Sequence, residues 1–335
     1  MGKLADYLVL LRFPGLGGLA IPPVIAAVSV GTFDLFTLFL LFLIGSYSAV
    51  FGFVLNDLVD IEVDKKSEEL KDRPLVSGKI SPQAALWICF TCIMLTLVTF
   101  FILFYGEVIT FYRFVAIICI LIAWVLGSIY DVYGKRIFAS DILVALSVAF
   151  IFLIGVFALN KDPNVFTWII FVLTFNNLFH MNAIEGGIKD ADHDVLMNVN
   201  NIALRSGVKV DEKKLFIPKS FQLLSMTVRI SSVILLFLPF IFFNHSFYIW
   251  QLVVLAVASL GVLFFSVKLL TLKIFNRNEI RKYISIQSFL RYSLVPIMLI
   301  YIIGIFPAII LILLPIVWYI VFTPLTDVKL FQPRM

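Results

Sequence analysis

The sequence predicts an all-α, polytopic membrane protein, and three observations predict it. Hydrophobic residues make up 61% of the 335 residues and charged residues only 14%, with a mean hydropathy of +1.06, which leaves too little charge to coat a water-soluble domain. Apolar runs of about 20 residues, the length that crosses the hydrocarbon as a helix, recur along the whole chain. Lys and Arg gather in alternate connecting segments, the asymmetry that orients a protein in a bilayer. The net charge of +5 is modest, and no nucleic-acid partner is expected.

The apolar runs fall at about 8–30, 33–55, 84–104, 108–129, 142–159, 164–186, 221–243, 247–270 and 286–304. That makes a bundle of nine spans in a single transmembrane domain over residues 1–335. A further run at 306–325 is a tenth span if Gly304 and Pro307 turn the chain, or the end of one kinked segment if they do not. The opening MGKLADYLVLLRFPGLGG has no clear cleavage pattern and reads as the start of the first span. The 35 Phe suit packing between helices and lipid. Cys89 and Cys92 form a CxxC, but they lie in WICFTCIMLTLV without a basic or His neighbour, and read, like Cys119, as buried inert thiols.

Orientation follows from the cations. Lys65, Lys66, Lys71, Arg73 and Lys79 follow the second span, Lys135 and Arg136 the fourth, Lys189, Arg205, Lys209, Lys213, Lys214 and Lys219 the sixth, and Lys273, Arg277, Arg281 and Lys282 the eighth. The opposite loops offer Arg113 and Lys161. The rich side is cytoplasmic by the positive-inside rule, so the expected location is the cell membrane with the polar segments facing the cytoplasm. Lys329 and Arg334 would share that side with an even number of spans, which favours ten.

The chemistry is expected where the second span breaks into LNDLVDIEVDKKSEELKDRPLVSGKIS, residues 55–81. Asn56, Asp60 and Asp64 are spaced i, i+4, i+8 and drift only about 40° per step on a helix, so three oxygen ligands face one way. Carboxylates so close repel one another unless a hard cation neutralises them, and oxygen-only ligation suits Mg²⁺. A second cluster, Asp190, Asp192 and Asp194, ends the sixth span in EGGIKDADHDVLMN. Asp190 and Asp194 are one helical turn apart and Asp192 points elsewhere. Both clusters follow even-numbered spans, which suggests two parallel, pseudo-repeated halves and two facing metal sites. Arg73, Lys135 and Arg136 sit at the same level, and cations beside a carboxylate-bound Mg²⁺ suit a diphosphate, although Lys135 and Arg136 also fit the role of topology determinants. Within the sixth span Asn176, Asn177, His180, Asn182 and Glu185 need a cavity or mutual partners. Asn177, His180 and Glu185 are candidates for an acceptor cavity, against packing as the plainer role for His180. The basic segment 205–219 caps the site, binds anionic headgroups or is a plain solvated loop.

These motifs resemble the UbiA superfamily of intramembrane prenyltransferases. NDLVDIEVD at 56–64 matches its NDxxDxxxD motif, KDADHD at 189–194 its second motif through Asp190 and Asp194, and RPLVSGKIS at 73–81 the segment that follows the first. Tyr130 with Lys135 looks like its Tyr/Lys element, and Arg12 with Pro14 like its entry to the first helix. The resemblance implies nine transmembrane helices, Mg²⁺ as cofactor, a polyprenyl diphosphate donor and a lipophilic acceptor. It assigns Asn56, Asp60 and Asp64 to one Mg²⁺ and Asp190 and Asp194 to another, Arg73 and Lys135 to the diphosphate, and Tyr130 to the allylic cation. Where members commonly carry a basic residue after the second motif, this chain has Val195 and MNVNN, so Lys189 or Arg205 is the expected substitute. The acceptor is either a geranylgeranylglyceryl phosphate-type lipid or an aromatic or quinone precursor; the basic 205–219 segment with Lys189 leans weakly towards the former. The alternatives are a polytopic transporter, which would place its acids near the bilayer midplane rather than at span ends, and an inactive lipid-binding membrane protein.

Overall fold

The computed structural model describes residues 3–65 and 70–326; Lys66, Lys329 and Arg334, used above for orientation, lie outside the described residues. The chain is mostly helical: α1 (Leu4–Leu10), α2 (Phe13–Ser29), α3 (Leu35–Val59), α4 (Pro82–Leu103), α5 (Phe111–Tyr133), α6 (Asp141–Phe157), α7 (Val165–Lys189), α8 (Lys219–Phe242), α9 (Ile249–Leu270), α10 (Arg277–Ile303) and α11 (Ile305–Phe322). Among the described residues eight of these helices are long and apolar enough to cross a membrane, and nine if α1 and α2, bent by 52°, are one span. Gly304, at φ +84°, leaves the helical region and ends α10, so residues 305–322 form a helix of their own.

The distribution of side chains is that of a multi-pass membrane protein. Large apolar residues such as Trp87, Phe101, Ile249 and Phe306 stand exposed, which lipid favours and water does not. Several buried hydroxyls turn back onto their own helices: Ser46 donates to the Phe42 carbonyl, Thr96 to Cys92 and Thr99 to Leu95, which satisfies them without water. Side chains cap the ends. Asp34 accepts from the Thr37 amide at the start of α3, a bond that holds its carboxyl below the ordinary value, and Ser81 accepts from Ala84 at the start of α4. Cys89, Cys92 and Cys119 are free and buried.

The chain divides into two compact units. The first comprises Met1–Val132, Ser147–Pro163 and Leu314–Met335. In it α3 packs along α4 around Val50, Val54, Leu75, Ile80, Ala85 and Cys89. α2 approaches α3 and α6 so closely that a Cβ on Gly45 or Gly155 would run into the carbonyls of Ala20 or Pro23. Trp318 donates its indole N–H to the Phe13 carbonyl at 2.9 Å. The second unit comprises Tyr133–Leu146 and Asn164–Leu313. There α9 packs along α10 and α7 against α8. Residues 180–186 of α7 form a π-helix, the widened turn that often marks a functional segment.

The basic segment 205–219 is more ordered than a solvated loop. Strands β1 (Lys209–Asp211) and β2 (Lys214–Phe216) form an antiparallel hairpin. Leu215 donates to the Lys273 carbonyl and Phe275 to the Lys213 carbonyl, at 2.9 and 2.7 Å, so the segment after α9 pairs with the hairpin. Val208, Leu215 and Ile217 are buried with Ile184 and Ile188 at the end of α7, with Ala191 just beyond it, and with Leu269 and Ile280. The hairpin is thereby fixed to the end of α7 that carries the second acidic motif.

Candidate active site

In the first unit the helical spacing of Asn56, Asp60 and Asp64 holds. The Asp60 amide donates to the Asn56 carbonyl at 3.0 Å and the Asp64 amide to the Asp60 carbonyl at 2.8 Å, so a further turn, Ile61–Asp64, prolongs the stripe beyond α3. Asp57, Asp60 and Asp64 are all buried. Arg73 Nη1 bridges Asp64 Oδ2 at 2.7 Å and Asp57 Oδ1 at 3.2 Å. Burial alone would lower the Arg73 pKa, but the charges of Asp57 and Asp64 outweigh it and hold the guanidinium above its ordinary value. Arg12 Nη2 reaches Asp57 Oδ1 at 3.0 Å, and its guanidinium lies 4.8 Å from the centre of the Phe53 ring. Arg12 adopts φ +46°, in the left-handed region, at the bend between α1 and α2. Tyr130, half-buried, lies in the last turn of α5 next to the buried Asp131.

Asp57 is a site residue that the stripe argument passes over. It orders both arginines, and its signal was present: 57, 60 and 64 are spaced i, i+3, i+7, which is also one helical face.

In the second unit the Asp194 amide donates to the Asp190 carbonyl at 2.9 Å, so the two aspartates share one turn. Lys189 Nζ lies 3.3 Å from Asp190 Oδ2, and Asn201 Nδ2 donates to Asp194 Oδ2 at 2.6 Å. Asp192 points away, onto Arg277 Nη2 at 2.6 Å, and Arg277 also donates to the Lys189 carbonyl at 3.2 Å. Burial first, and then the neighbouring Asp190, raise the Asp194 pKa to about 7, against the pull of Lys135, Lys189 and the Asn201 bond. Lys135 is therefore brought to the second motif. The Asn200 backbone and side chain bond the carbonyls of Lys135 and Arg136 at 2.9 and 3.1 Å, and Arg205 Nε donates to Asn200 Oδ1 at 2.7 Å. The side chain of Arg136 itself is exposed. The Asn-rich stretch, where a basic residue was looked for, instead clamps the loop that carries Lys135.

The polar residues of α7 meet partners from α8 and α10. Glu185 Oε1 accepts from Arg229 at 2.7 Å and from Arg291 at 2.8 Å, and Oε2 from Arg291 at 3.2 Å. His180 bonds Ser225 Oγ through Nε2 and Arg229 through Nδ1, both at 2.8 Å. Arg229 also reaches Asn177 Oδ1 at 3.5 Å. Glu185, His180 and Arg229 are each at most 2% exposed. Arg229 and Arg291 each stand alone in an apolar run, and only the fold joins them to Glu185.

Among the described residues no group of three or more His, Cys, Asp or Glu side chains converges closely enough to cage a metal. Mg²⁺ does not need such a cage, because one or two carboxylates suffice when substrate phosphates and water complete its shell. The donors present are all oxygen, from buried carboxylates on successive helical turns, and Asp64 already holds a cationic partner in Arg73. The residues fit a hard divalent cation.

A sequence model of the UbiA prenyltransferase family matches residues 17–293. The chain belongs to the UbiA prenyltransferase family. It is 27% identical over 211 residues to the 4-hydroxybenzoate octaprenyltransferase of Blochmanniella floridana, covering 61% of this chain and 69% of that one. It spans about half the length, 52%, of the Francisella tularensis proteins of that name that it matches. Among solved structures, a digeranylgeranylglyceryl phosphate synthase superposes with a TM-score of 0.65 at 22% identity, covering 91% of this chain and 100% of that one. A UbiA homologue from Archaeoglobus fulgidus bound to DMAPP and Mg²⁺ superposes with a TM-score of 0.61 at 18% identity, covering 90% of this chain and 99% of that one. The UbiA membership agrees with the resemblance carried by the aspartate motifs.

Proposed function

We propose that the chain is a Mg²⁺-dependent intramembrane prenyltransferase that moves a polyprenyl group from its diphosphate to a lipophilic acceptor. The observation that carries the reading is the Arg73 guanidinium seated on Asp57 and Asp64 at the end of the Asn56, Asp60, Asp64 stripe, oxygen ligands and an anion-binding cation in one cluster. Asn56, Asp60 and Asp64 are assigned to one Mg²⁺, and Asp190 and Asp194 to a second. Bound there, Mg²⁺ supplies positive charge to the diphosphate oxygens as the C1–O bond breaks. Arg73 is assigned to diphosphate charge beside the first motif, Lys135 and Lys189, with Arg136, to diphosphate charge beside the second, and Tyr130 to the allylic cation. The apolar helices keep water from that cation.

For Asn177, His180 and Glu185, pairing with Arg229, Arg291 and Ser225 favours holding the π-helix that leads to Asp190 over lining an acceptor cavity. We assign the chain to the cell membrane in nine or ten spans, in two halves that each carry one acidic motif, with both motifs at the cytoplasmic face. The acceptor is an aromatic acid, as the name of the Blochmanniella relative suggests, or a glyceryl phosphate lipid, as that of the synthase suggests.

Purified protein given geranylgeranyl diphosphate and Mg²⁺ should prenylate 4-hydroxybenzoate or geranylgeranylglyceryl phosphate, with products identified by mass. Donor that neither binds nor is consumed in the presence of Mg²⁺ would refute the reading.

A further inference from the structure

Among the described residues of the first unit, the buried polar atoms without a hydrogen-bond partner include Ser48 Oγ, Trp124 Nε1 and Asp131 Oδ2. These three are not scattered. Ser48 lies on α3 one turn before Gly52, about 40° round the helix from it. Asp131 Oδ2 faces α3 at Gly52, 3.8 Å from where a Cβ on that residue would stand. Trp124 precedes Asp131 by seven residues on α5, hence on the same face, and its ring centre is 6.4 Å from that of Phe51 on α3. Asp131 is 9% exposed and within electrostatic reach of Arg12, Asp57 and Asp60.

A buried carboxylate oxygen without a donor destabilises a fold, and such orphans are rare enough in proteins to need a reason. Trp124 and Asp131 on one face of α5, and Ser48 one turn from Gly52 on the α3 that faces them, have a common reason if a ligand completes them. Asp131 Oδ2 needs a donor, the Trp124 N–H needs an acceptor, and Ser48 Oγ takes either role. A hydroxyl group supplies both. Gly52 lies about 6 Å along α3 from Asn56, on the side away from Asp64, which places the hydroxyl beside the metal stripe on the hydrocarbon side.

We propose that Ser48, Trp124 and Asp131 form the subsite for the hydroxyl of the acceptor substrate, and that Asp131 Oδ2 accepts first its hydrogen bond and then its proton. The inference rests on the prenyl transfer reading. With an alcohol acceptor, the donor C1–O bond breaks and its electron pair leaves with diphosphate. The acceptor oxygen forms the new bond to C1, and its proton passes to Asp131. With a hydroxyarene, a ring carbon forms the bond to C1 while the O–H electrons move into the ring and the proton passes to Asp131. Loss of the ring C–H proton and return of the hydroxyl proton then restore the arene. A proton acceptor at this point contributes about 10²- to 10⁴-fold.

The test uses the full chain in detergent with Mg²⁺ and geranylgeranyl diphosphate, with 4-hydroxybenzoate and geranylgeranylglyceryl phosphate in separate arms; the arm that yields product identifies which hydroxyl compound is taken. Asp131→Asn should lower transfer at least about 100-fold and leave the donor Kd in Mg²⁺ within about threefold. Asp131→Glu, which keeps the carboxylate, should recover part of the transfer. Trp124→Phe should raise the acceptor KM about 3- to 10-fold, the loss of one hydrogen bond, with the donor KM unchanged; this conservative variant and Asp131→Glu carry the test if Asp131→Asn does not fold. Transfer by Asp131→Asn within threefold of wild type overturns the subsite, as does loss of donor binding in that variant, which would move Asp131 to the diphosphate. Wild-type protein that hydrolyses donor but prenylates neither compound overturns the hydroxyl assignment alone. Wild-type protein that does not bind donor overturns the prenyl transfer reading and the subsite with it.

Discussion

Arg73 Nη1 lies 2.7 Å from Asp64 Oδ2 and 3.2 Å from Asp57 Oδ1, so one guanidinium nitrogen holds two carboxylates of the first acidic motif. Arg73→Ala should weaken donor binding by about 1.5–3 kcal/mol, the value of hydrogen bonds to a charged group, with Arg73→Lys intermediate because a point charge replaces a planar fork. Donor titrations in the presence of Mg²⁺ measure both, and an unchanged Kd in Arg73→Ala would remove Arg73 from the diphosphate site.

Asp57 joins Arg12 to Arg73, and its loss leaves two cations short of a partner. Asp57→Asn should lower stability in detergent by about 1–3 kcal/mol, and the first bend of the chain should loosen with it, since Arg12 at φ +46° loses the contact that offsets its strain. Thermal unfolding measures the first effect and hydrogen exchange over residues 4–20 the second.

Glu185 lies between two buried arginines. Glu185→Ala should therefore destabilise by about 3–5 kcal/mol, because both cations stay buried without their counterion. Replacing the triad together, Glu185→Leu with Arg229→Met and Arg291→Met, should regain most of that stability. Thermal unfolding of the single and triple variants decides it; a triple variant no more stable than the single one would show that the ions do more than cancel one another.

The Asp194 carboxyl, raised to about 7, gives a pH dependence whose sign is fixed. Between the unfolded value near 4 and about 7 the folded protein binds more protons at this site than the unfolded chain, so its contribution to stability falls as pH rises through that window. In EDTA, wild type should lose stability from pH 5 to 8 more steeply than Asp194→Asn. Added Mg²⁺ should stabilise wild type more at pH 8 than at pH 6, because the ion competes with the proton.

The apolar runs and the aspartate stripes were legible because each is a local pattern. Asn56, Asp60 and Asp64 need only the helical period to share a face, and Asp190 and Asp194 likewise. Asp57 was overlooked because one face was followed where two were available. The partners of Glu185 could not be read: Arg229 and Arg291 lie in TVRISS and FLRYSL, with no local feature that names their counterion. Nor could the pairing of Lys213 and Leu215 with residues 273–275, because strand partners far apart in sequence leave no periodic trace.

That pairing has a mechanical meaning. Glu212, at φ +52°, lies at the tip of the hairpin, while hydrogen bonds across the tip join β1 to β2, and β2 in turn pairs with the segment that follows α9. A backbone cut at the tip would separate the first two hundred residues from the rest covalently without releasing them. The nicked chain would migrate as two bands on a denaturing gel and as one particle in detergent, like a book with its spine slit and its pages still stitched.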